Sequence, residues 1–194
     1  MKPNLGVILL AAGESSRLGQ TKQLVQFEGT SLVRRAAELL LILEPGFCLV
    51  VTGSESAAIT AELEDLPLQC QFNSSWKEGM GTSIACGARS LPVKLDGVML
   101  FLCDQWRITT ADITGLYKTW CEDTSYVVAS GWAEITGPPV IFPARCIERL
   151  TSLAGDQGAR LVIDEQSRQS KRLLIDNARY DLDTPADMKL LGVT

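Results

Sequence analysis

Short, continuous apolar runs alternate with helix-like segments over the first two-thirds of this sequence, and that alternation limits the fold more than any other feature. The strongest runs are residues 6–10, 47–51 and 97–103. Runs of that length without polar alternation are typical of strands that are buried on both faces. Because strands that alternate with helices form parallel sheets covered by those helices, the sequence predicts an α/β fold.

Weaker patterns complete this prediction. Helices are expected at residues 31–43, 54–66, 82–91 and 110–121, the last with Thr110 as its N-cap. Two short helices are expected after residue 142, and a final helix begins at Thr184. Further strands are expected at residues 68–72, 126–129, 140–142 and 172–175, and residues 137–139 lead into the third of these. Hairpin-like sequence after Ser125 makes the mainly parallel sheet a mixed one. With no repeat or linker, residues 1–194 are expected to form a single domain, a three-layer sandwich around that sheet.

The sequence contains no histidine, which excludes several kinds of chemistry. Ser-His-Asp and Cys-His catalysis and His-ligated zinc or iron sites all need an imidazole. The net charge of −5, with only 6% aromatic residues, argues against nucleic acid or an anionic membrane as a partner. The chemistry must therefore come from carboxylates, cations, backbone amides and a bound metal.

The cysteines and the N-terminal residues bear on the compartment. The six cysteines are at least 16 residues apart, so a zinc ribbon or a redox pair is not expected, and free thiols in a reducing compartment are. No apolar run approaches the roughly 20 residues that span a bilayer. The first residues lack the pattern of a signal peptide. A cytoplasmic location is the expectation.

A polar loop bracketed by Gly13 and Gly19 follows the first predicted strand and carries two cations, Arg17 and Lys22. Such a loop lies at the carboxyl end of a strand, where open α/β sheets bind ligands, and glycines allow close approach to an anion. A polyphosphate fits that description. The spacing is neither that of a P-loop nor that of a dinucleotide fingerprint. An ordinary strand–helix connection with solvated cations is the alternative.

Carboxylates mark two further positions. Asp104 comes directly after a buried strand, which places it at the carboxyl edge of the sheet, where a carboxylate opposite a phosphate loop is suited to hold Mg²⁺. The alternative for Asp104 is that it caps the next turn. Asp181 and Asp183 are two residues apart on an extended segment and share one face, so either can supply a second carboxylate.

Six blocks of the sequence follow one another in a fixed order. They are LAAGESSRLGQTKQL at residues 10–24, NSSWKEGMGTS at 73–83, LCDQ at 102–105, GPPV at 137–140, GDQGAR at 155–160 and DLDTP at 181–185. Together they resemble the nucleotidyltransferases that activate the molybdenum cofactor. Within that family the resemblance is greatest to the molybdenum cofactor cytidylyltransferases, and it covers nearly the whole chain.

The resemblance implies a Rossmann-like fold of the nucleotide-diphospho-sugar transferase type. It implies transfer of CMP from CTP to the terminal phosphate of molybdopterin, with release of pyrophosphate and with Mg²⁺ as cofactor. Arg17, Lys22 and Asp104 would be catalytic, and Asp104 and Asp183 would hold the metal, the choice of Asp183 over Asp181 resting on the resemblance. The implied nucleotide-binding residues are Leu10, Ala11, Ala12, Gly13, Lys22, Asn73, Gly81 and Ser83.

Several alternatives stay open. A guanylyltransferase of the same family differs in the base, although Ala12 stands where those enzymes commonly carry a second glycine. A cytidylyltransferase for methylerythritol phosphate or a sugar-alcohol phosphate differs in the acceptor, and a non-catalytic chaperone would only carry the molybdenum cofactor. A molybdoenzyme or its chaperone is the expected protein partner. Trp106 departs from the proline common in the family, which bears on the acceptor pocket, where Asp156 and Arg160 either contribute or cap a helix.

Overall fold

The three apolar runs form neighbouring parallel strands in a seven-stranded sheet. The computed structural model describes residues 2–192. Its strands are β1 (Leu5–Ala11), β2 (Gln26–Phe27), β3 (Thr30–Ser31), β4 (Phe47–Thr52), β5 (Gln69–Phe72), β6 (Gly97–Leu102), β7 (Val127–Trp132), β8 (Ile135–Pro143) and β9 (Ser170–Leu174). The order of the sheet is β5-β4-β1-β6-β8-β7-β9. Strand β8 is antiparallel to both of its neighbours, and all other pairs in the sheet are parallel. The predicted mixed, mainly parallel sheet is confirmed.

Helices cover both faces of this sheet and make the predicted three layers. Val33, Ile59 and Trp120 pack on the face that includes Leu9, whereas Ile84, Leu150 and Val162 pack on the face that includes Ile8. The helices described are α1 (Leu32–Leu41), α2 (Ser56–Glu62), α3 (Met80–Arg89), α4 (Thr110–Glu122), α5 (Ile147–Thr151), α6 (Ala159–Glu165) and α7 (Pro185–Leu191). The side chains of β1 point alternately into two apolar cores. Both faces of this central strand are therefore buried, as its unbroken apolar run predicts.

Some predicted boundaries were wrong. Helix α4 is capped by Thr109 rather than Thr110, because the Thr109 hydroxyl accepts from the backbone of Asp112 in a capping box. Residues 137–139 lie inside β8 rather than leading into it. They occupy the point where the pairing of β7 and β8 shifts register between Ala129 and Ser130, so prolines there interrupt no regular ladder.

A small third cluster of apolar side chains lies away from the two main cores. Its buried members are Leu18, Val25, Leu32, Trp106, Leu182 and Leu191. The Trp106 ring meets Phe27 and Tyr180 edge to face, with centroids 5.2 and 6.3 Å apart. Trp106, the departure from the family pattern, is therefore a packing residue that joins the loops after β1 and β6 to the segment before α7.

The cysteines and the membrane prediction are also addressed by the structure. All six cysteines are free, with Cys48, Cys103 and Cys146 buried, in agreement with the expectation of unpaired thiols. Among residues 2–192, no helix has the length and apolar character required to cross a bilayer.

Two helical glycines give a matched test of how closely the layers pack. A Cβ atom added at Gly87 in α3 would lie 2.7 Å from Cγ2 of Ile8, whereas one at Gly115 in α4 would come no closer than 3.7 Å, to Leu173. Either alanine gains about 1 kcal/mol of helix propensity, but overpacking at Gly87 costs about 1–3 kcal/mol. We expect Gly115→Ala to raise and Gly87→Ala to lower the free energy of unfolding in urea. A stabilised Gly87→Ala variant would contradict the close approach of α3 to β1.

Candidate active site

A cleft of about 540 Å³ opens where the segments after β1 and β6 meet the start of α3. This is the edge at which open α/β sheets bind their ligands. Several residues predicted for the site line it, among them Lys22, Ser83 and Asp104. The complete lining is Leu10, Ala11, Ala12, Gly13, Glu14, Lys22, Gln23, Trp76, Lys77, Gly79, Met80, Ser83, Leu102, Cys103 and Asp104.

A buried glutamine shapes the loop between β1 and Lys22. The side-chain amide of Gln23, a residue only 1% exposed, donates to the carbonyl oxygens of Ala11 and Gly13 at 3.2 and 2.8 Å. Ser15 has a left-handed φ of 58°, and its hydroxyl accepts from the backbone N–H of Lys22 at 3.1 Å. The loop therefore turns back on the end of β1, and this turn brings Lys22 into the cleft.

The Nζ atom of Lys22 lies between two carboxylates from distant parts of the chain. It donates to Oδ2 of Asp104 and, at 2.9 Å, to Oδ1 of Asp183. The side chains of Lys22 and Asp104 are only 15% and 12% exposed. Burial disfavours the charged ammonium, but the two carboxylates outweigh burial and raise the pKa of Lys22 above its usual range. Arg17 is mostly exposed, with its guanidinium 3.9 Å from Oδ2 of Asp183.

The carboxyl groups in and beside this ion cluster, among residues 2–192, include oxygens that have no hydrogen-bond partner. Within residues 2–192, Oδ1 of Asp104 and Oδ1 of Asp181 are buried without a hydrogen-bond donor. Burial, together with the negative charges of Asp104 and Asp183, raises the pKa of Asp181 to about 7. A buried, unpaired carboxylate oxygen is costly, so the arrangement suits a cation that arrives with a ligand.

Asp104 and Asp183 can supply two of the ligands of an ion such as Mg²⁺, and the remaining ligands must come from elsewhere. Because Lys22 reaches one oxygen of each, the two carboxylates converge on one point. In the part of the chain that the structure describes, no group of three or more Cys, Asp or Glu side chains is arranged to hold a metal. Mg²⁺ commonly takes one or two protein carboxylates and completes its shell with water and phosphate oxygens. The donor set therefore fits a metal that binds together with phosphates.

Ser83, in the first turns of α3, forms part of the wall beside this cluster. The amide of Asn73 donates to the hydroxyls of Ser83 and Thr82, both at 3.0 Å, and the N–H of Gly81 donates to the carbonyl of Gly155 at 2.8 Å. Asn73 and Gly81, both predicted to bind the nucleotide, are buried and do not border the cleft. In this structure they fix the start of α3 and thereby the position of Ser83.

No role was predicted from the sequence for Gln23, Trp76 or Gln105, although each lies in one of the six blocks. The buried amide of Gln105 donates to the carbonyls of Pro138 and Ala178, both at 2.9 Å, and so ties the end of β6 to β8 and to the turn that leads toward Asp183. Both glutamines directly follow a charged site residue. An uncharged amide carries no chemistry of its own, so its role became visible only with its partners in place.

Comparison with known proteins identifies the family. Residues 7–171 match the MobA-like NTP transferase domain, which is well over half of the chain. The chain belongs to this family. The match includes the loop after β1, the whole cleft lining and Asp104. The predicted enzyme class, a nucleotidyltransferase, is confirmed, while the nucleotide and the acceptor are not decided by the family.

Two relatives span most of this MobA-like chain. The Purine catabolism protein PucB of Bacillus subtilis is 27% identical over 200 residues, which cover 97% of this chain and 96% of the relative. The Nicotine blue oxidoreductase of Paenarthrobacter nicotinovorans is 26% identical over 171 residues, which cover 82% of this chain and 81% of the relative. The two names refer to different processes, so similarity at this level does not fix the substrate.

Solved structures support the fold. Rv0371c from Mycobacterium tuberculosis superimposes with a TM-score of 0.86 at 20% identity and 98% coverage of both chains, and its complex with manganese gives 0.79 at 19% identity and 97% coverage of both. The molybdopterin-guanine dinucleotide biosynthesis protein A from Archaeoglobus fulgidus gives 0.70 at 14% identity, with 96% coverage of this chain and of that chain. At these identities the similarity establishes a shared fold.

The amide contacts of Gln23 lead to a stability prediction. Gln23→Leu nearly keeps the side-chain volume but leaves the carbonyls of Ala11 and Gly13 without their donor. We expect a loss of about 1–3 kcal/mol in the free energy of unfolding. Urea denaturation measures that loss, and amide hydrogen exchange should become faster in residues 11–22.

The control for this experiment is Gln26→Leu. Gln26 is exposed, and its amide makes one weak contact, 3.5 Å from the carbonyl of Leu24, so a change within about 0.5 kcal/mol is expected. Equal stability of the Gln23 and Gln26 variants would show that Gln23 does not hold the loop.

Proposed function

We propose that this MobA-like NTP transferase transfers CMP from CTP to the terminal phosphate of the molybdenum cofactor, molybdopterin, with release of pyrophosphate. The observation that carries the proposal is the cluster of Lys22, Asp104 and Asp183 at the carboxyl edge of the sheet. A buried cation beside carboxylates with free oxygens is suited to a triphosphate that binds with Mg²⁺. The six sequence blocks favour the molybdenum cofactor as acceptor.

In the proposed reaction, Lys22 exchanges its carboxylate partners for oxygens of the α-phosphate and of the leaving pyrophosphate. Arg17 adds a second positive charge from the exposed rim. Asp104 and Asp183 would hold Mg²⁺, which would supply neutralisation of the phosphate charge. An oxygen of the acceptor phosphate attacks the α-phosphorus while the bond from that phosphorus to the bridging α–β oxygen breaks. The acceptor's second pKa is about 6, so it is ionised at neutral pH and no histidine is required.

The proposal of a divalent metal has two supports. One is the pair of converging carboxylates, with a buried Oδ1 of Asp104 that has no donor in the described residues. The other is the manganese complex of Rv0371c, a protein of the same fold. Mg²⁺ and Mn²⁺ both prefer oxygen ligands, so either ion suits this site, and we propose Mg²⁺ as the cofactor.

Other activities are separated from this one by a single assay. A guanylyltransferase is the first alternative, since one neighbour is named for a molybdopterin-guanine dinucleotide. An oxidoreductase is the second, because one relative carries that name. The sequence has no Gly-x-Gly-x-x-Gly fingerprint for a dinucleotide, which disfavours an oxidoreductase.

Pyrophosphate release should be measured with each of the four NTPs, with and without molybdenum cofactor and with methylerythritol phosphate. Release that requires CTP and the molybdenum cofactor supports the proposal, and no release with any pair contradicts it.

Asp104 and Lys22 give the first functional prediction. We expect Asp104→Asn to abolish turnover with the fold retained, since it removes the buried carboxylate charge at the phosphate end. Lys22→Ala should weaken CTP binding or turnover by about 2–4 kcal/mol, the scale of a lost charge-assisted contact. Kinetics at limiting Mg²⁺, with the melting temperature of each variant, measure both effects.

A matched control is Lys171→Ala. Lys171 also pairs with a carboxylate, that of Glu122 at 3.3 Å, but this ion pair is exposed and away from the cleft. Its kinetics should equal those of the wild type. A folded Asp104→Asn variant with normal activity would remove Asp104 from the mechanism.

The preference for the base gives the second functional prediction. Ala12 lies in the cleft wall, and a glycine at this position would leave more room for a purine. We expect kcat/KM for CTP to exceed that for GTP by roughly 5- to 150-fold, the effect of one polar contact left unmet by the wrong base. The variant Ala12→Gly should narrow this ratio. Equal values, or a preference for GTP in the wild type, would contradict the assignment of CTP and leave nucleotidyl transfer standing.

A further inference from the structure

The side chain of Trp76, which lines the cleft, packs directly against the backbone of Gly53. A Cβ atom added to Gly53 would lie 2.6 and 2.7 Å from Cγ and Cβ of Trp76 and 2.5 Å from the carbonyl oxygen of Ala12. The absence of a side chain at Gly53 therefore lets Trp76 pack against the end of β4, next to Ala12. Both Trp76 and Ala12 line the cleft. The position of the indole is thus set by a contact that only glycine permits.

The sheet order puts Trp76 and the ion cluster on opposite sides of β1. Gly53, beneath Trp76, follows β4, and Asp104 follows β6, while β1 lies between these two strands. Two strand spacings separate the ends of β4 and β6, about 9–10 Å. That separation suits a nucleotide whose phosphates lie at Lys22 and Asp104 and whose base lies at the far end of the cleft.

The surroundings of Trp76 suit a flat, polar-edged ring. Trp76 is half-buried and, within the described residues, is the one aromatic side chain that lines the cleft. The ammonium of Lys77 lies 5.3 Å from the centroid of the indole, so a face of the ring is reached by an exposed, flexible side chain rather than by packed core. The hydroxyl of Ser83, fixed by Asn73, offers a hydrogen bond in the same cleft.

We propose that Trp76 is the base-stacking residue of the cleft and that Gly53 fixes its position. This inference rests on the proposed function, because it takes the ligand to be a nucleotide whose triphosphate lies at Lys22. Indole rings stack on any base, so the contact supplies affinity for the nucleoside part, whereas Ala12 and Ser83 supply the preference among bases. The contact adds nothing to the binding of a phosphate chain that carries no base.

The test measures the dissociation constants of CTP, GTP and inorganic tripolyphosphate in the presence of Mg²⁺. Trp76→Leu should weaken CTP and GTP by roughly 5- to 100-fold, the scale of one lost base–aromatic stack, and leave tripolyphosphate unchanged. Trp76→Phe keeps a ring and should retain most of the affinity. Trp132→Leu is the matched control, since Trp132 is also half-buried but lies at the end of β7, outside the cleft lining.

The outcomes separate this inference from the proposed function. Normal CTP affinity in Trp76→Leu, or an equal loss of CTP and tripolyphosphate affinity, contradicts the stacking role while the proposed function stands. A wild-type protein that binds none of the nucleotides contradicts the proposed function and, with it, the role of Trp76. Selective loss of nucleotide affinity in Trp76→Leu, with rescue by Trp76→Phe, supports the inference.

Discussion

One lysine joins the separate segments at the carboxyl edge of this sheet. Lys22 pairs with Asp104, 82 residues away, and with Asp183, 161 residues away. The desolvation of charges buried to this degree largely offsets their attraction, so such a cluster contributes little net stability. The cluster instead fixes the positions of the three side chains relative to one another. Without Lys22, the carboxylates of Asp104 and Asp183 would face each other with no cation between them. In the proposed reaction, a nucleotide that binds with a divalent metal replaces the lysine in that role and frees it for the phosphates.

The surrounding structure fixes the three segments that carry these charges. Gln23 fastens the loop after β1, and Gln105 fastens the end of β6 to its neighbours. The N–H of Leu182 donates to the carbonyl of Asp104 at 3.0 Å, so the segment of Asp183 is tied directly to that of Asp104. Trp106 fills the space between the loops. The charged side chains of the cleft are thus positioned by hydrogen bonds and packing of uncharged groups.

The scaffold, and the charged residues that meet at the sheet edge, could be predicted from the sequence because both have local signals. A strand buried on both faces shows as an unbroken apolar run, and a charged residue at its end, such as Asp104, must lie at the sheet edge. The roles of Asn73, Gly81 and Gln23 depend on partners that are distant in space or in sequence, and no local pattern reveals them. The placement of Trp76 depends on Gly53, whose missing side chain becomes informative only once the two are seen in contact.

Anomalous scattering of Mn²⁺ in crystals grown with CTP tests most directly whether the cluster of Lys22, Asp104 and Asp183 binds metal and phosphate. We expect one metal peak at coordinating distance, about 2.1 Å, from carboxylate oxygens of Asp104 and Asp183. We also expect Nζ of Lys22 to have moved from those carboxylates onto phosphate oxygens. A metal peak elsewhere, or a Lys22 that still bridges both carboxylates with CTP bound, would contradict the assignment of this cluster as the metal–phosphate end of the site.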